Sequence, residues 1–216
     1  GRGVLFGGGS GVRRGRVSVL GGGVAGLCAA RVAAGMGADV TVFDVDVARM
    51  RYIDEVWGGR IGTRFSSPLA VREACGESDV VIGSVLVPGA RTPHLVDHEM
   101  VLGMVPGSVL VDVAVDQGGC FEDSHPTTHA DPTFVVGGSV FYCVANMPGA
   151  VPHTSTYALT NATMRYVLLL ADEGWRGACG SRDDLRRGLA TCGGKLVSAP
   201  VGEALGIECV PVSEVL

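Results

Sequence analysis

The architecture this sequence predicts is a doubly wound α/β fold: a parallel sheet with helices on both faces. Three observations predict it. Short β-branched apolar runs alternate with helical patterns from Arg16 to Val115, which is the rhythm of βαβ units. The first of these runs leads straight into a glycine-rich turn, "VLGGGVAG", that opens a helical pattern. The second ends on an acidic residue, Asp44, 18 residues after the last of those glycines.

Residues 17–20 read as a strand, and residues 24–36 as a helix with alanine and leucine along one face. Residues 40–43 form a second strand and 47–56 a second helix. Residues 60–65 make a third strand, and 68–75 a short helix with Ser66 or Ser67 as N-cap. Residues 80–82 and 109–115 are two further strands, separated by a loop and a short helix near 96–104. Past Cys120 the polar stretch "EDSHPTTHADP" is a loop, and 133–136 and 139–143 read as strands about a Gly137-Gly138 turn. "NMPGAVP" interrupts that run before a helix near 155–173, capped by Gly174. The rest is short helices and turns with few large apolar side chains, a tail that needs a neighbour to pack on. The expected division is a dinucleotide-binding domain over 1–150 and a C-terminal helical segment over 151–216.

Composition excludes several function classes. Hydrophobic residues make up 47% of 216 positions, enough for a sizeable core. Net charge is −5 and no Lys/Arg run forms a patch, so neither nucleic acid nor an anionic membrane is an expected partner. No apolar run approaches the ~20 residues of a membrane span, and no signal peptide is read. The seven cysteines form no C-x-x-C pair, and their number is odd. Scattered through apolar surroundings, they suit reduced thiols in a cytoplasmic protein. The chain opens on Gly1 rather than Met, so a partial sequence is expected.

Gly21-x-Gly23-x-x-Gly26 carries the first chemistry. Gly21 permits a tight turn, Gly23 lets a pyrophosphate approach the backbone, and Gly26 allows helix and strand to pack closely. With Val24 and Ala25, it opens a helix whose free N–H groups attract phosphate. Asp44 can accept both adenosine ribose hydroxyls and would repel a 2′-phosphate, which favours NAD over NADP. Strand, helix and acid in register make this a Rossmann fingerprint; the alternative is a glycine-rich turn in an unrelated α/β domain. Arg49 and Arg51 lie one helical turn beyond Asp44, either at the adenine end or on a solvated face. Arg49 and Arg51 weaken the case against NADP slightly.

Cys120, His125 and His129 have a zinc-like spacing. Pro126 breaks the helix such a ligand pair would need, and no fourth ligand is evident, so no metal is expected. His94 and His98, at i and i+4, read as exposed helix residues. Asp112 and Asp116 stand in a run of valines, "SVLVDVAVDQGGC", where a carboxyl is costly unless paired. Strand alternation puts both on one face unless the strand bends. Ligands of doubly wound sheets sit at the strands' carboxyl ends, so Asp116 can face a ligand or serve as a cap.

Several stretches together resemble alanine dehydrogenase: "GRGVLFGG", "LGGGVAG", "AAGMGADVTVFD", "SDVVIGSVLVPGARTP", "GSVLVDVAVDQGGCFEDSHPTTHADPTF", "FYCVANMPGAVPHTSTYALTNAT" and "ALGIECVPVSEVL". The α subunit of nicotinamide nucleotide transhydrogenase is a related family, with Glu where this chain has Asp116; "SHPTTH" and "VANMPGAVP" favour the former. The resemblance implies reversible, NAD-dependent oxidative deamination of L-alanine to pyruvate and ammonia, through an imine that water hydrolyses, by a homo-oligomer of amino-acid catabolism. It implies that Gly21, Gly23, Val24, Ala25 and Gly26 hold the pyrophosphate and Asp44 the ribose. Arg49 falls beside the adenosine and Ser66 near the adenine. Val85, Leu86 and Val113, with Val144, Ala145, Asn146 and Met147, surround the nicotinamide and its ribose. Asp116 is the implied catalytic carboxylate.

Two departures leave the chemistry alone: "GSG" at Gly9 to Gly11 stands for a usual "VPG", and Arg165 for a usual Pro. A third does not. The resemblance implies an arginine, a lysine and a histidine from a substrate domain, and Lys195, the only lysine, lies outside any matching motif. The two expectations are therefore part of an alanine dehydrogenase, or a truncated NAD(H)-binding module without catalysis.

Overall fold

A computed structural model describes residues 1–87 and 92–216; Pro88 to Arg91, within the "SVLVPGARTP" stretch, lie outside the described residues. Each apolar run becomes a strand and each amphipathic run a helix. In order they are β1 (Arg16–Leu20), α1 (Val24–Gly35), β2 (Asp39–Asp44), α2 (Val47–Trp57), β3 (Ile61–Phe65), α3 (Pro68–Glu77), β4 (Val80–Gly83), α4 (His98–Leu102), β5 (Val109–Asp112), β6 (Thr133–Val136) and β7 (Ser139–Tyr142). The strands form one sheet in the order β3-β2-β1-β4-β5-β7-β6. Every pairing is parallel except β6 with β7, an antiparallel hairpin. That hairpin turns through Gly137 and Gly138 at φ 57° and 86°, the positive angles a tight two-residue turn requires.

The inner strands are covered on both faces, so β1, β2, β4 and β5 are mainly apolar runs, while the edge strands β3 and β6 stay partly exposed. On one face Val17, Val19, Val40, Val42 and Ile61 pack with Ala30 and Ala33 of α1 and Ile53 of α2. On the other, Leu20, Phe43, Val81, Leu110 and Phe141 pack with Val71 and Ala74 of α3 and Met100 and Val101 of α4. Each of the larger side chains, valine upward, contributes about 1.5–3 kcal/mol when taken fully out of water. Helix starts follow their caps. Asp46 accepts the N–H groups of Ala48 and Arg49, Ser67 that of Ala70, and Asp97 that of Met100.

Most boundaries shift by a residue or two from the sequence reading, and four of the differences have a visible cause or consequence. The strand expected over 109–115 stops at Asp112, because the Asp112 carboxylate accepts the Ala114 N–H at 3.0 Å and turns the backbone out of the sheet. The helix expected over 96–104 is only His98–Leu102. The Asp97 cap starts it there, while Val96 bridges to Phe121. The hairpin's second strand stops at Tyr142 rather than Cys143. The helix expected from 155 begins at Pro152, whose missing N–H costs nothing at a first-turn position. Gly174 (φ 67°, ψ 166°) then breaks it, and helical bonding resumes to Ser181.

By contacts the chain divides into two compact units, one comprising Gly1–Leu86 and Thr92–Met147, the other carrying Pro148–Leu216. The second contains α5 (Pro152–Ser181), α6 (Asp183–Gly188), a small hairpin of β8 (Thr191–Cys192) and β9 (Lys195–Leu196), and α7 (Ala199–Leu205). Its packing is sparse: along α5 only Ala178 and Cys179 are buried. Among the described residues no helix is long and apolar enough to cross a membrane.

At the amino edge of the sheet, Asp79 ties the N-terminal segment down. Only 4% exposed, it accepts from Arg2 (2.6 Å), from both terminal nitrogens of Arg13 (2.7 and 3.1 Å) and from the Arg16 N–H (2.9 Å). The Arg13 hydrogen bond holds its pKa below the ordinary carboxylate value. Its contribution is therefore complete above that value and is lost as pH falls through the lowered one. Asp79→Asn should cost about 1–2 kcal/mol near neutrality, measured by urea unfolding, with the difference from wild type narrowing in acid. A difference that persists unchanged at acid pH would contradict the ion-pair account.

Candidate functional site

The strand order reverses between β1 and β4, and the glycine turn sits at the carboxyl end of β1, beside that point. Gly21 donates its N–H to the Phe43 carbonyl at 2.8 Å and adopts φ 101°. A Cβ there would lie 3.0 Å from both the Ser84 oxygen and a Val85 methyl. A Cβ on Gly26 would overlap the Gly21 carbonyl oxygen and Ser84 Oγ. Gly23 is the extended N-cap of α1, offers no side chain to the helix, and has nothing within 4 Å of where a Cβ would be. The first loop-to-helix bond runs from the Leu27 N–H to the Gly23 oxygen (2.9 Å), so the N–H groups of Val24, Ala25 and Gly26 open the helix ahead of it. Free N–H groups, the positive end of the helix dipole and a bare backbone together make a place for a phosphate.

The turn is also gripped from outside. Asp44, last in β2, accepts the Gly22 N–H at 2.7 Å on Oδ2 and the Asp46 N–H at 2.9 Å on Oδ1. Arg49 donates from Nε to the Gly22 carbonyl, and its guanidinium lies 5.3 Å from the Tyr52 ring centre. Gly22, an unspecified position of the fingerprint, leaves no slack either, since a Cβ there would sit 3.0 Å from Asp44 Oδ2. Ser84 ties the two strands at the switch point, donating from Oγ to the carbonyls of Leu20 (2.9 Å) and Gly21 (3.0 Å). Sequence reasoning missed both Gly22 and Ser84. The signal for Ser84 was its place directly after a strand that ends at the switch point.

The remaining site residues share this carboxyl edge. Ser66, just past β3, donates its N–H to the Asp44 carbonyl (2.9 Å). Val85 and Leu86 follow β4, with Leu86 exposed. Val113 follows β5 and donates its N–H to Gly83 (2.8 Å). Asp116 does not end the strand, as expected, but lies in a one-turn 3-10 helix, Val115–Gln117, and is exposed. Past β7, the Val144 side chain is buried, so only its backbone is available, and Ala145 and Met147 are half-buried. Asn146 has φ 55°, which Asn tolerates better than most residues, and its carbonyl accepts from His129 Nε2 (3.2 Å). The strand order puts Asp44 and Ser66 on one side of the glycine turn. Val85, Leu86, Val113, Asp116 and residues 144–147 fall on the other.

The histidines and Cys120 have other occupations. Cys120 is buried, its thiol pushed up to about 12 by that burial. His125 stacks on Phe134 with ring centres 3.8 Å apart. His98 pairs with Asp123 at 3.0 Å, which raises its pKa, while His94 lies outside α4 rather than on a helix with it. Among the described residues no three His, Cys, Asp or Glu side chains are grouped to hold a metal. All seven cysteines are free thiols.

A cavity of about 490 Å³ lies at the opposite, amino edge, lined by Arg13, Arg14, Arg16, Arg60 and Asp39 with Gly58 and Gly59. It is not part of this site. Gly58 caps the C-terminus of α2, and cations near a helix C-terminus offset its partial negative charge.

With this geometry in hand, comparison with known proteins identifies the family. The family model described as alanine dehydrogenase/PNT, C-terminal domain, matches residues 1–199. The chain belongs to this family. It is 58% identical over 216 residues to the alanine dehydrogenase of Mycolicibacterium smegmatis, covering 100% of this chain and 58% of that protein. A solved L-alanine dehydrogenase superposes with TM-score 0.85 at 48% identity, over 95% of this chain and 57% of that one. A transhydrogenase from Sinorhizobium meliloti matches with TM-score 0.57 at 34% identity, over 65% and 40%. The chain therefore spans a little over half the length of the alanine dehydrogenases it resembles. NAD-dependent enzymes acting on small molecules are what the family implies.

The three fingerprint glycines should respond differently to a methyl group. Gly26→Ala should destabilise the protein by about 1–3 kcal/mol through overpacking. Gly23→Ala, with open space around it, should change stability by under about 1 kcal/mol. Thermal unfolding reads both, and equal losses would contradict the packing described for α1 against β1.

Proposed function

We propose that this chain is the NAD(H)-binding part of an alanine dehydrogenase, catalysing reversible oxidative deamination of L-alanine to pyruvate and ammonia. The observation that carries the reading is the alignment of an exposed carboxylate, Asp116, with a glycine turn and its acidic partner along one edge of a parallel sheet. The family and the names of its members support the same chemistry.

The bare turn at Gly21 and Gly23, with the first N–H groups of α1 at Val24, Ala25 and Gly26, would receive the pyrophosphate. Asp44 would keep its bond to the Gly22 N–H and accept the ribose hydroxyls on its remaining lone pairs. Arg49 would flank the adenosine, and Ser66 the adenine. Val85, Leu86 and Val113, with the backbone of Val144, Ala145, Asn146 and Met147, would line the nicotinamide end. NAD, when bound there, supplies the acceptor for the hydride leaving the alanine Cα. Asp116 orients the water that attacks the substrate carbon and takes its proton, a general-base role. In this reading residues 1–150 form the cofactor domain, and 151–216 pack on a substrate domain. The working protein is a cytoplasmic homo-oligomer, in keeping with its free thiols.

A second reading is a module that binds NAD(H) without turnover. The coding sequence upstream of Gly1 separates the two. An open frame carrying lysine, histidine and arginine supports the enzyme, and a start codon just before Gly1 supports the module.

Two outcomes are expected in solution. Asp44→Ala and Gly23→Ala should each weaken NADH binding by about tenfold or more, an effect of about 1.4 kcal/mol, read by NADH fluorescence titration. Unchanged affinity would remove the ribose and pyrophosphate assignments. The 216-residue chain alone should bind NADH yet form none from alanine and NAD, because substrate positioning can be worth several kcal/mol of barrier. In the full-length gene product, Asp116→Asn should lower kcat by about a hundredfold or more. Turnover close to wild type would end the proposed role of Asp116.

A further inference from the structure

The other aspartate of the valine run, Asp112, is the most deeply buried carboxylate among the described residues, and the reaction just proposed does not use it. It is the last residue of β5 and has no solvent exposure. Its Oδ1 accepts the Ala114 N–H at 3.0 Å. Its Oδ2 accepts the Cys120 N–H at 2.8 Å, Ser124 Oγ–H at 2.5 Å and, more weakly, the Phe121 N–H at 3.4 Å. All four neighbours are donors, which suits an acceptor-only carboxylate and offsets the cost of burying it.

The position of those donors in the chain is informative. Ala114 stands where the backbone leaves the sheet, and Cys120, Phe121 and Ser124 stand where it comes back beside the end of β5. One carboxylate therefore pins both ends of an excursion whose exposed tip carries Asp116. The tip is narrowed further by bonds from the N–H groups of Gln117 (2.9 Å) and Gly119 (3.1 Å) to the Ala114 carbonyl. Gly119, at φ 81°, leaves no room for a side chain, since a Cβ there would lie 2.8 Å from Asp112 Oδ2. Ser124 extends the network to the residue that follows β7, for its hydroxyl also accepts from Cys143 Sγ at 3.8 Å. Cys143 directly precedes Val144.

We propose that Asp112 is a positioning residue: it sets the backbone path that presents Asp116 and, through Ser124 and Cys143, holds the residue 144–147 segment in register with it. This rests on the reading of Asp116 as the catalytic carboxylate. The apolar side chains of the excursion, Ala114, Val115, Cys120 and Phe121, already belong to the core cluster. The excursion is thus anchored by packing, and the carboxylate adds direction to its backbone.

The test uses the full-length gene product with alanine and NAD. Asp112→Asn turns an NH2 group toward donors, and Ser124→Ala removes one donor while leaving the carboxylate and three N–H partners. The expected result for Asp112→Asn is a kcat lower by about tenfold or more, with NADH affinity within about twofold, the size of coupling seen between groups in one network. Ser124→Ala should show the same pattern at about threefold, and it decides the matter if Asp112→Asn does not fold. A loss of NADH affinity in step with kcat, or an unchanged kcat in both variants, would overturn the proposal and leave Asp112 a structural residue. Asp116→Asn, run alongside, keeps the two ideas apart: wild-type turnover there refutes the role of Asp116 itself.

Discussion

Everything at the carboxyl edge depends on how closely α1 approaches the end of β1. Gly26 lies so near the Gly21 carbonyl and Ser84 that a single methyl cannot be accommodated, and Ser84 Oγ bonds to that same carbonyl. This contact fixes the direction of the helix and therefore where its free N–H groups point. It also fixes Gly22, whose two backbone polar groups are taken by Asp44 and Arg49. Asp44 thus has two jobs. It holds the turn in place through a peptide N–H, and it presents a carboxylate at the end of the neighbouring strand. A fingerprint acid that only touched its ligand would leave the turn to be ordered on binding; here the order precedes the ligand, which lowers the entropic cost of association.

Two aspartates four residues apart meet opposite fates, and the reason is local. Asp112 captures the Ala114 N–H, so the strand ends beneath it and its own side chain is sealed in. The backbone released by that turn then carries Asp116 out to solvent. Burial with a full set of donors is the behaviour of a structural or positioning group, and exposure at a strand's carboxyl end that of a group free to meet a ligand. The valine run needs both: without the first carboxylate the second would continue the strand and alternate into the core.

The parallel sheet, its helices and the glycine turn were legible because each rests on a signal within a few residues: β-branched runs, alanine-lined helical faces, a serine cap at 66 or 67, the spacing from Gly26 to Asp44. The beginning of α5 was missed by three residues: Pro152 marks its first turn, yet the expected start near 155 takes "NMPGAVP", which ends on that proline, as an interruption. What could not be read was long-range. The donors that complete the shell of Asp112 include Cys120 and Ser124, too far along the chain for any window of periodicity. Ser84 and Gly22 matter because of atoms from other strands, Gly21 and Asp44, and no local pattern announces such a contact. Asp116 was recognised through its motif, while its position in a 3-10 turn depended on the unread role of Asp112.

The central claim is that the dinucleotide lies across the carboxyl edge, from Ser66 through the glycine turn to Asp116 and residues 144–147. Backbone amide NMR of the protein titrated with NADH tests it most directly. The account predicts perturbed signals for Gly22, Gly23, Val24, Asp44, Ser66, Val113, Asp116 and Asn146, with Arg14, Gly58, Gly59 and Arg60 around the amino-edge cavity unmoved. Perturbations confined to that cavity, or absent from the Gly22 and Asp116 ends alike, would contradict it.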